Sequence, residues 1–278
     1  MKATPVRAVL ILTASCAMIT HAGARSGLAS PAQIHRVAAA KQASAAATPT
    51  ERRVPFRAGE TLVYDVSWST YLTAGVATLV VKDKRGSGAS TAYYIVAEGR
   101  PTGLVSKLHS FYYKADTLLD SFALLPQRGS IYSEEGGRRR MRITRFDQTA
   151  HRAEFEMQTT TDVRRSLAVP PYSQDALSAV YVLRAIALQE NARFTMPVCD
   201  GGSNYRIQVA IGRIEPVKTP AGSVNAFRVT PTILDERGQR VGRPLTLWVS
   251  ADERRLPVML RADLAIGSIN LVLRQVTP

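Results

Sequence analysis

Ser173-Gln174-Asp175-Ala176-Leu177-Ser178-Ala179-Val180-Tyr181-Val182-Leu183-Arg184-Ala185-Ile186-Ala187-Leu188 is the stretch that decides the fold. Between Ala176 and Leu188 only Ser178, Arg184 and the hydroxyl of Tyr181 are polar. Ser173 is placed to cap a helix, Asp175 falls in a first turn where its charge suits the dipole, and Asn191 with Arg193 marks the end. The pattern predicts one helix over about residues 173–190. A helix apolar nearly all round must be enclosed on several sides, yet these thirteen residues are too few to cross a bilayer. The simplest enclosure is a strongly curved sheet wrapped about it, and Pro170-Pro171 would stop the preceding strand and launch the crossing.

Outward from this helix the chain reads as short β-prone runs broken by turn residues. Leu62 to Trp68, Val76 to Val81 and Tyr93 to Val96 are rich in β-branched and aromatic side chains. The same grammar recurs at Met141 to Phe146, Ala153 to Met157, Tyr205 to Ile211, Ala226 to Val229, Leu245 to Val249, Pro257 to Leu260 and Ile266 to Leu273. Glu134-Glu135-Gly136-Gly137 and Asp200-Gly201-Gly202 read as turns. The expected fold is therefore mainly β: a strongly curved antiparallel sheet, half-barrel or barrel-like, enclosing one apolar helix. No self-similar period of about 20 to 50 residues points to a propeller or solenoid.

The first 24 residues resemble a secretory leader. Lys2 and Arg7 are followed by an apolar stretch from Ala8 to Thr20, and Ala22-Gly23-Ala24 supplies small residues where a signal peptidase reads, so cleavage is expected after Ala24. A retained N-terminal anchor is the alternative, and either implies export. Lipidation at Cys16 is disfavoured, because Ala17, Met18 and Ile19 continue the apolar stretch where polar residues normally follow a lipidated cysteine. Loss of the leader leaves Cys199 alone, with no intramolecular disulfide open to it. Residues 25–52 are Ala-rich and lack aromatics, which predicts a flexible tether, and residues 53–278 are expected to form a single β-rich domain.

With 278 residues, 45% of them hydrophobic, the chain has material for a sizeable core, which excludes wholesale disorder, a collagen repeat and a disulfide-stapled miniature. Its formal net charge is +14. Residues 1–50 hold five basic residues and no acid, leaving 31 basic against 22 acidic residues, so the β-rich part carries +9 by itself. In an exported protein such charge suits an anionic membrane surface or an envelope protein better than nucleic acid.

Phe56-Arg57-Ala58-Gly59-Glu60-Thr61-Leu62-Val63-Tyr64-Asp65-Val66-Ser67-Trp68, with Ala74-Gly75-Val76-Ala77 after it, resembles the bacterial family called domain of unknown function 3108. Gln174-Asp175-Ala176-Leu177-Ser178 with Leu183-Arg184, and Thr219-Pro220-Ala221-Gly222, are similar to its central segment and its turn. Leu247-Trp248-Val249-Ser250, then Asp252, Arg255, Leu256-Pro257-Val258 and Ile266-Gly267-Ser268-Ile269, resemble its closing strands. The resemblance runs from Arg53 to Thr277 and implies an exported, mostly β envelope protein, with no activity or catalytic residues to carry over. The build it implies is similar to the half-barrels of periplasmic lipoprotein carriers, an analogy at the level of fold.

Candidate chemistry is sparse. His109 and His151 stand 42 positions apart with no second histidine at metal-ligand spacing, so neither a zinc site nor another metal centre is expected. No GxSxG elbow, phosphate cradle or dinucleotide fingerprint is present, and no cofactor is expected. Tyr93, Tyr94, Phe111, Tyr112 and Tyr113 are the candidates for lining an apolar ligand cleft, although alternation prevents neighbours from facing the same way. Arg138, Arg140 and Arg142, placed by alternation opposite Met141 and Ile143, are expected to form a basic surface strip, with Arg145 at the strand's exposed end. The leading functional expectation is a non-enzymatic envelope protein that binds an apolar or lipid-like ligand or an envelope partner. A structural or assembly role is the alternative, and a hydrolase built on His109 or His151 with distant carboxylates is the third reading.

Overall fold

The computed structural model describes residues 50–69, 72–86, 91–103, 111–159, 162–265 and 267–278. Residues 1–49, which include the expected leader with Cys16 and most of the expected tether, lie outside the described residues, as do His109 and Ile266. Before the helix come β1 (Thr61–Trp68), β2 (Leu72–Arg85), β3 (Ala92–Pro101), β4 (Phe111–Asp120), β5 (Pro126–Glu135), β6 (Arg138–Asp147), β7 (Arg152–Gln158) and β8 (Val163–Ala168). After the helix α1 (Ala176–Ala185) come β9 (Arg193–Asp200), β10 (Ser203–Thr219), β11 (Gly222–Leu234), β12 (Leu245–Ser250), β13 (Pro257–Asp263) and β14 (Ser268–Thr277).

Among the described residues the fourteen strands belong to one antiparallel sheet in the order β8-β7-β6-β5-β4-β3-β2-β1-β14-β13-β12-β11-β10-β9. Two meanders are thus joined where β1 meets β14, with Thr61 opposite Thr277 and Trp68 opposite Ile269. The edges are β8 and β9, and the segment between them carries α1. The expected curved sheet around an apolar helix is the observed architecture.

The sheet curls so far that distant strands meet the same helix. Leu177 and Tyr181 of α1 pack into a core with Val81, Tyr93, Ile95, Ala115 and Leu119 of β2 to β4. Leu183 faces the other way, into a core with Val198, Ile207, Phe227 and Val249 of β9 to β12. Each such side chain removed from water contributes about 1.5–3 kcal/mol, and α1 collects it from both halves of the sheet.

Near the seam, backbone and side chains take over from the strand ladder. Gln174 pairs in parallel with β9: its N–H donates to the Pro197 carbonyl at 2.9 Å, and its carbonyl accepts from Cys199 N–H at 2.8 Å. The exposed edge of β9 is thereby capped over two residues. Asn204 donates to the Ala168 carbonyl at 2.9 Å, and Cys199 packs with Ala153 and Val169 across the gap.

The helix is shorter than its sequence pattern predicts, and the pairing at Gln174 explains the difference. Because residues at 174 are held extended against β9, helical dihedrals begin at Ala176 and Asp175, not Ser173, is the N-cap. Its carboxylate accepts from Leu177 N–H and Ser178 N–H at 2.8 Å each, and Ser178 Oγ accepts from the Asp175 N–H at 2.9 Å, closing a reciprocal cap. Ser173 Oγ instead donates to the Pro170 carbonyl at 2.7 Å. At the other end Ile186 leaves helical dihedrals, well before Asn191. The predicted turns at 134–137 and 200–202 are hairpin connections, and glycines with positive φ occupy positions 201 and 202 of the second.

Candidate functional site

Inside the curl lies a cavity of about 170 Å³. Its existence follows from inward positions that carry little side chain. Ala77 stands directly opposite Gly99, Leu79 opposite Ala97, and Ala97 opposite Ala115, all on the concave face of β2 to β4. Gly75, at the end of this row, allows close strand approach: a Cβ there would fall 2.3 Å from the Arg100 carbonyl oxygen. Bulkier neighbours enclose the space. Tyr64 and Val66 of β1, Met259 of β13 and Leu271 of β14 form one wall, and Leu177 and Val180 of α1 form the floor. Phe111 and Tyr113 of β4 complete the lining at one end.

The five aromatic candidates divide by parity. Tyr93, Phe111 and Tyr113 face inward, Phe111 and Tyr113 onto the cavity and Tyr93 into the solid core, where its ring meets Phe56 edge-on at 5.2 Å. Tyr94 and Tyr112 face outward. Tyr94 lies under the Arg85 guanidinium at 3.8 Å, and Tyr112 meets Arg100 at 4.9 Å and Tyr132 at 5.9 Å. The cavity's other walls, from β1, β13, β14 and α1, were not among the sequence candidates. Their signal was present in the small residues Gly75, Ala77, Ala97 and Gly99, which leave room on the face their neighbours fill.

The arginines of β6 also divide by parity: Arg138, Arg140 and Arg142, expected as a surface strip, fall on the concave face, and Arg139 and Arg145 on the other. Arg142 is half-buried and lies in line with Thr144 and Phe146, which pack inward. The expected alternation of Arg138, Arg140 and Arg142 opposite Met141 and Ile143 holds, with Arg138 and Arg140 exposed on the hairpin end of the concave face. Arg145 lies on the other face and within the strand rather than at its end, since β6 continues to Asp147.

Around Arg142 sit groups whose ionisation the fold perturbs. Burial raises the pKa of Asp200, which the charge of Arg142 opposes. The Tyr113 phenol is pushed up to about 12 by burial and by the nearby Asp200 charge. Cys199, buried beside them, is likewise pushed up to about 12, so its thiol stays protonated and is a poor nucleophile at neutral pH. Deeper in the sheet Asp175 accepts from Thr117 Oγ1 at 2.6 Å, and burial lifts its carboxyl to about 6.

His151 occupies the turn between β6 and β7, at the opposite end of that hairpin strand from Arg138, with a φ of 52°. It is exposed, and its carbonyl accepts from Val169 N–H at 2.8 Å. Among the described residues no group of three His, Cys, Asp or Glu side chains is placed to hold a metal ion, and no helix is long and apolar enough to cross a membrane.

The model of the family described as "Protein of unknown function (DUF3108)" matches residues 63–274. The beta-barrel-like protein of domain of unknown function DUF1849 from Brucella abortus is similar at a TM-score of 0.52 and 11% identity, over 80% of this chain and 98% of that one. A protein from Bacteroides fragilis with a YmcC-like fold gives a TM-score of 0.32 at 9% identity, over 82% of this chain and 100% of its own. A protein from Parabacteroides distasonis gives 0.34 at 9% identity, with the same coverages of 82% and 100%. No curated protein matches the sequence.

Proposed function

This chain belongs to the DUF3108 family, and on that premise we propose that it is an exported, non-enzymatic binding protein whose curled sheet holds a small apolar ligand or the apolar end of a larger one. The observation that carries this reading is the cavity of about 170 Å³ between the sheet and α1. An apolar cavity of about 150 Å³ in a folded protein stays dry and takes up benzene, so this one is matched to a single ring or a short alkyl segment. Empty, such a space costs stability, because its lining forgoes packing contacts that an apolar guest restores. The likeness of residues 1–24 to a secretory leader supports export, and export would place the ligand in the cell envelope.

The test is mass spectrometry of small molecules extracted from the protein purified without detergent. A stoichiometric apolar compound is the expected result. A clean extract, together with failure to bind octanol in calorimetry, would remove the binding reading and leave a structural or assembly role.

A further inference from the structure

The arginines of β6 and β8 make ion pairs on one face of the sheet and none within 4.0 Å on the other. On the outer face Arg139 meets Glu134 at 3.4 Å, Arg145 meets Glu156 at 3.4 Å, and Arg164 of β8 meets Glu156 at 3.7 Å. On the concave face stand Arg138, Arg140, Arg142 and, on β8 opposite Phe155, Arg165. Among the described residues none of these four makes an ion pair within 4.0 Å. Two acids lie on the same face: Glu135 is the cross-strand neighbour of Arg138, and Asp200 is near Arg142. Arg140 faces Ser133, which brings no charge.

Successive same-face residues of a strand are about 7 Å apart, so three cations at alternate positions repel one another and weaken the strand that carries them. An anion between them removes that penalty. The same rungs lead to the cavity: Arg140, Ser133 and Tyr113 lie side by side on three strands, as do Arg138, Glu135 and Phe111. Two strand spacings amount to about 10 Å, a gap that an extended arginine and a ligand head can bridge.

We infer that the cavity's ligand is an anionic amphiphile, its apolar end against Phe111 and Tyr113 and its carboxylate or phosphate head held by Arg140 with Arg138 and Arg142 on either side. This rests on the cavity being the binding site and adds the chemistry of the head. A guanidinium offers two parallel N–H donors, the geometry that carboxylate and phosphate oxygens accept. Octanoate, octyl phosphate, octanol and inorganic phosphate are titrated calorimetrically into the wild type and into the Arg138→Gln/Arg140→Gln double variant. Both arginines are exposed, so the variant is expected to fold. At least one of the two charged amphiphiles is expected to bind about tenfold more tightly than octanol, and the double variant to erase that ratio. Whichever head gains more identifies the ligand as a carboxylate or a phosphate. Equal affinity for octanol and both charged amphiphiles overturns the head assignment and leaves the cavity reading standing. Inorganic phosphate binding as tightly as octyl phosphate reduces the arginines to a free-anion site. If nothing binds, both readings fall.

Discussion

The guanidinium of Arg184 donates to both carboxylate oxygens of Glu60, at 2.6 and 2.9 Å, and the arginine is wholly buried. Its remaining donors reach the carbonyls of Arg255 at 3.2 Å, Arg254 at 3.3 Å and Pro55 at 3.4 Å. The rings of Phe56 and Tyr181 flank it at 5.4 and 5.1 Å. One side chain of α1 therefore joins the segment entering β1 to the turn between β12 and β13, pieces that no strand ladder connects to the helix. Arg184→Met would leave the Glu60 carboxylate buried and unpartnered, at an expected cost of about 3–5 kcal/mol. Urea unfolding midpoints check this, and the Glu60→Leu/Arg184→Met double variant is expected to be more stable than Arg184→Met alone.

The Asp175 carboxyl, raised by burial to about 6 from 3.8, gives stability a defined pH dependence. Between those values the folded chain binds more protons than the unfolded one, so this group's contribution falls as pH rises from about 4 to about 6 and is constant above. Two pKa units amount to about 3 kcal/mol across the window. Asp175→Asn keeps a good N-cap residue and removes the titration. The difference between wild-type and variant unfolding free energies should therefore change between pH 4 and 6; a constant difference would contradict the buried titration.

Gly202 sits at φ 75° in the turn between β9 and β10, where an added Cβ would lie 2.7 Å from the Phe155 ring of β7. Gly202→Ala therefore combines an unfavourable left-handed backbone with a clash at the seam, for an expected loss of about 2 kcal/mol. Hydrogen exchange should rise first in β7 and β8, the strands the clash pushes away.

Val180 projects from α1 into the cavity lining. Val180→Phe should fill part of the space, weaken octanol binding by about tenfold or more and leave the unfolding midpoint nearly unchanged, because the added ring occupies an existing void. A variant that still binds octanol at wild-type affinity would place the site elsewhere.

Export is checked by the intact mass of the protein recovered from a bacterial periplasm. The expected N-terminus is Arg25, from cleavage after Ala24. A mass including residues 1–24 would indicate a retained anchor.

Much of the fold was legible because it rests on local pattern. Runs of β-branched and aromatic residues mark ten of the fourteen strands, while β4, β5, β8 and β9 are recognised only from their pairing, and the thirteen residues 176–188, poor in polar groups, demand an enclosed helix. The helix N-terminus lies two residues beyond the one the sequence suggests, because Ser173 and Asp175 are both good caps and the choice between them depends on a bridge from Gln174 to Val198, 24 positions further on. Parity separated Tyr93 from Tyr94 and Arg142 from Arg145, yet parity has no sign. Which face of β4 or β6 becomes concave depends on the direction in which the whole sheet curls, a property of fourteen strands together.

Ten strands, their antiparallel pairing and the need to bury α1 were readable from neighbouring residues and short-range periodicity, and the family resemblance from motifs spread along the chain. Long-range packing was needed to show that β1 and β14 lie side by side in the middle of the sheet, that small residues on β2 and β3 leave a cavity, and that arginines outside any ion pair share the concave face with it. Those facts arise where strands far apart in the chain are brought side by side, and free space is set by the sum of side chains from many strands rather than by any one of them.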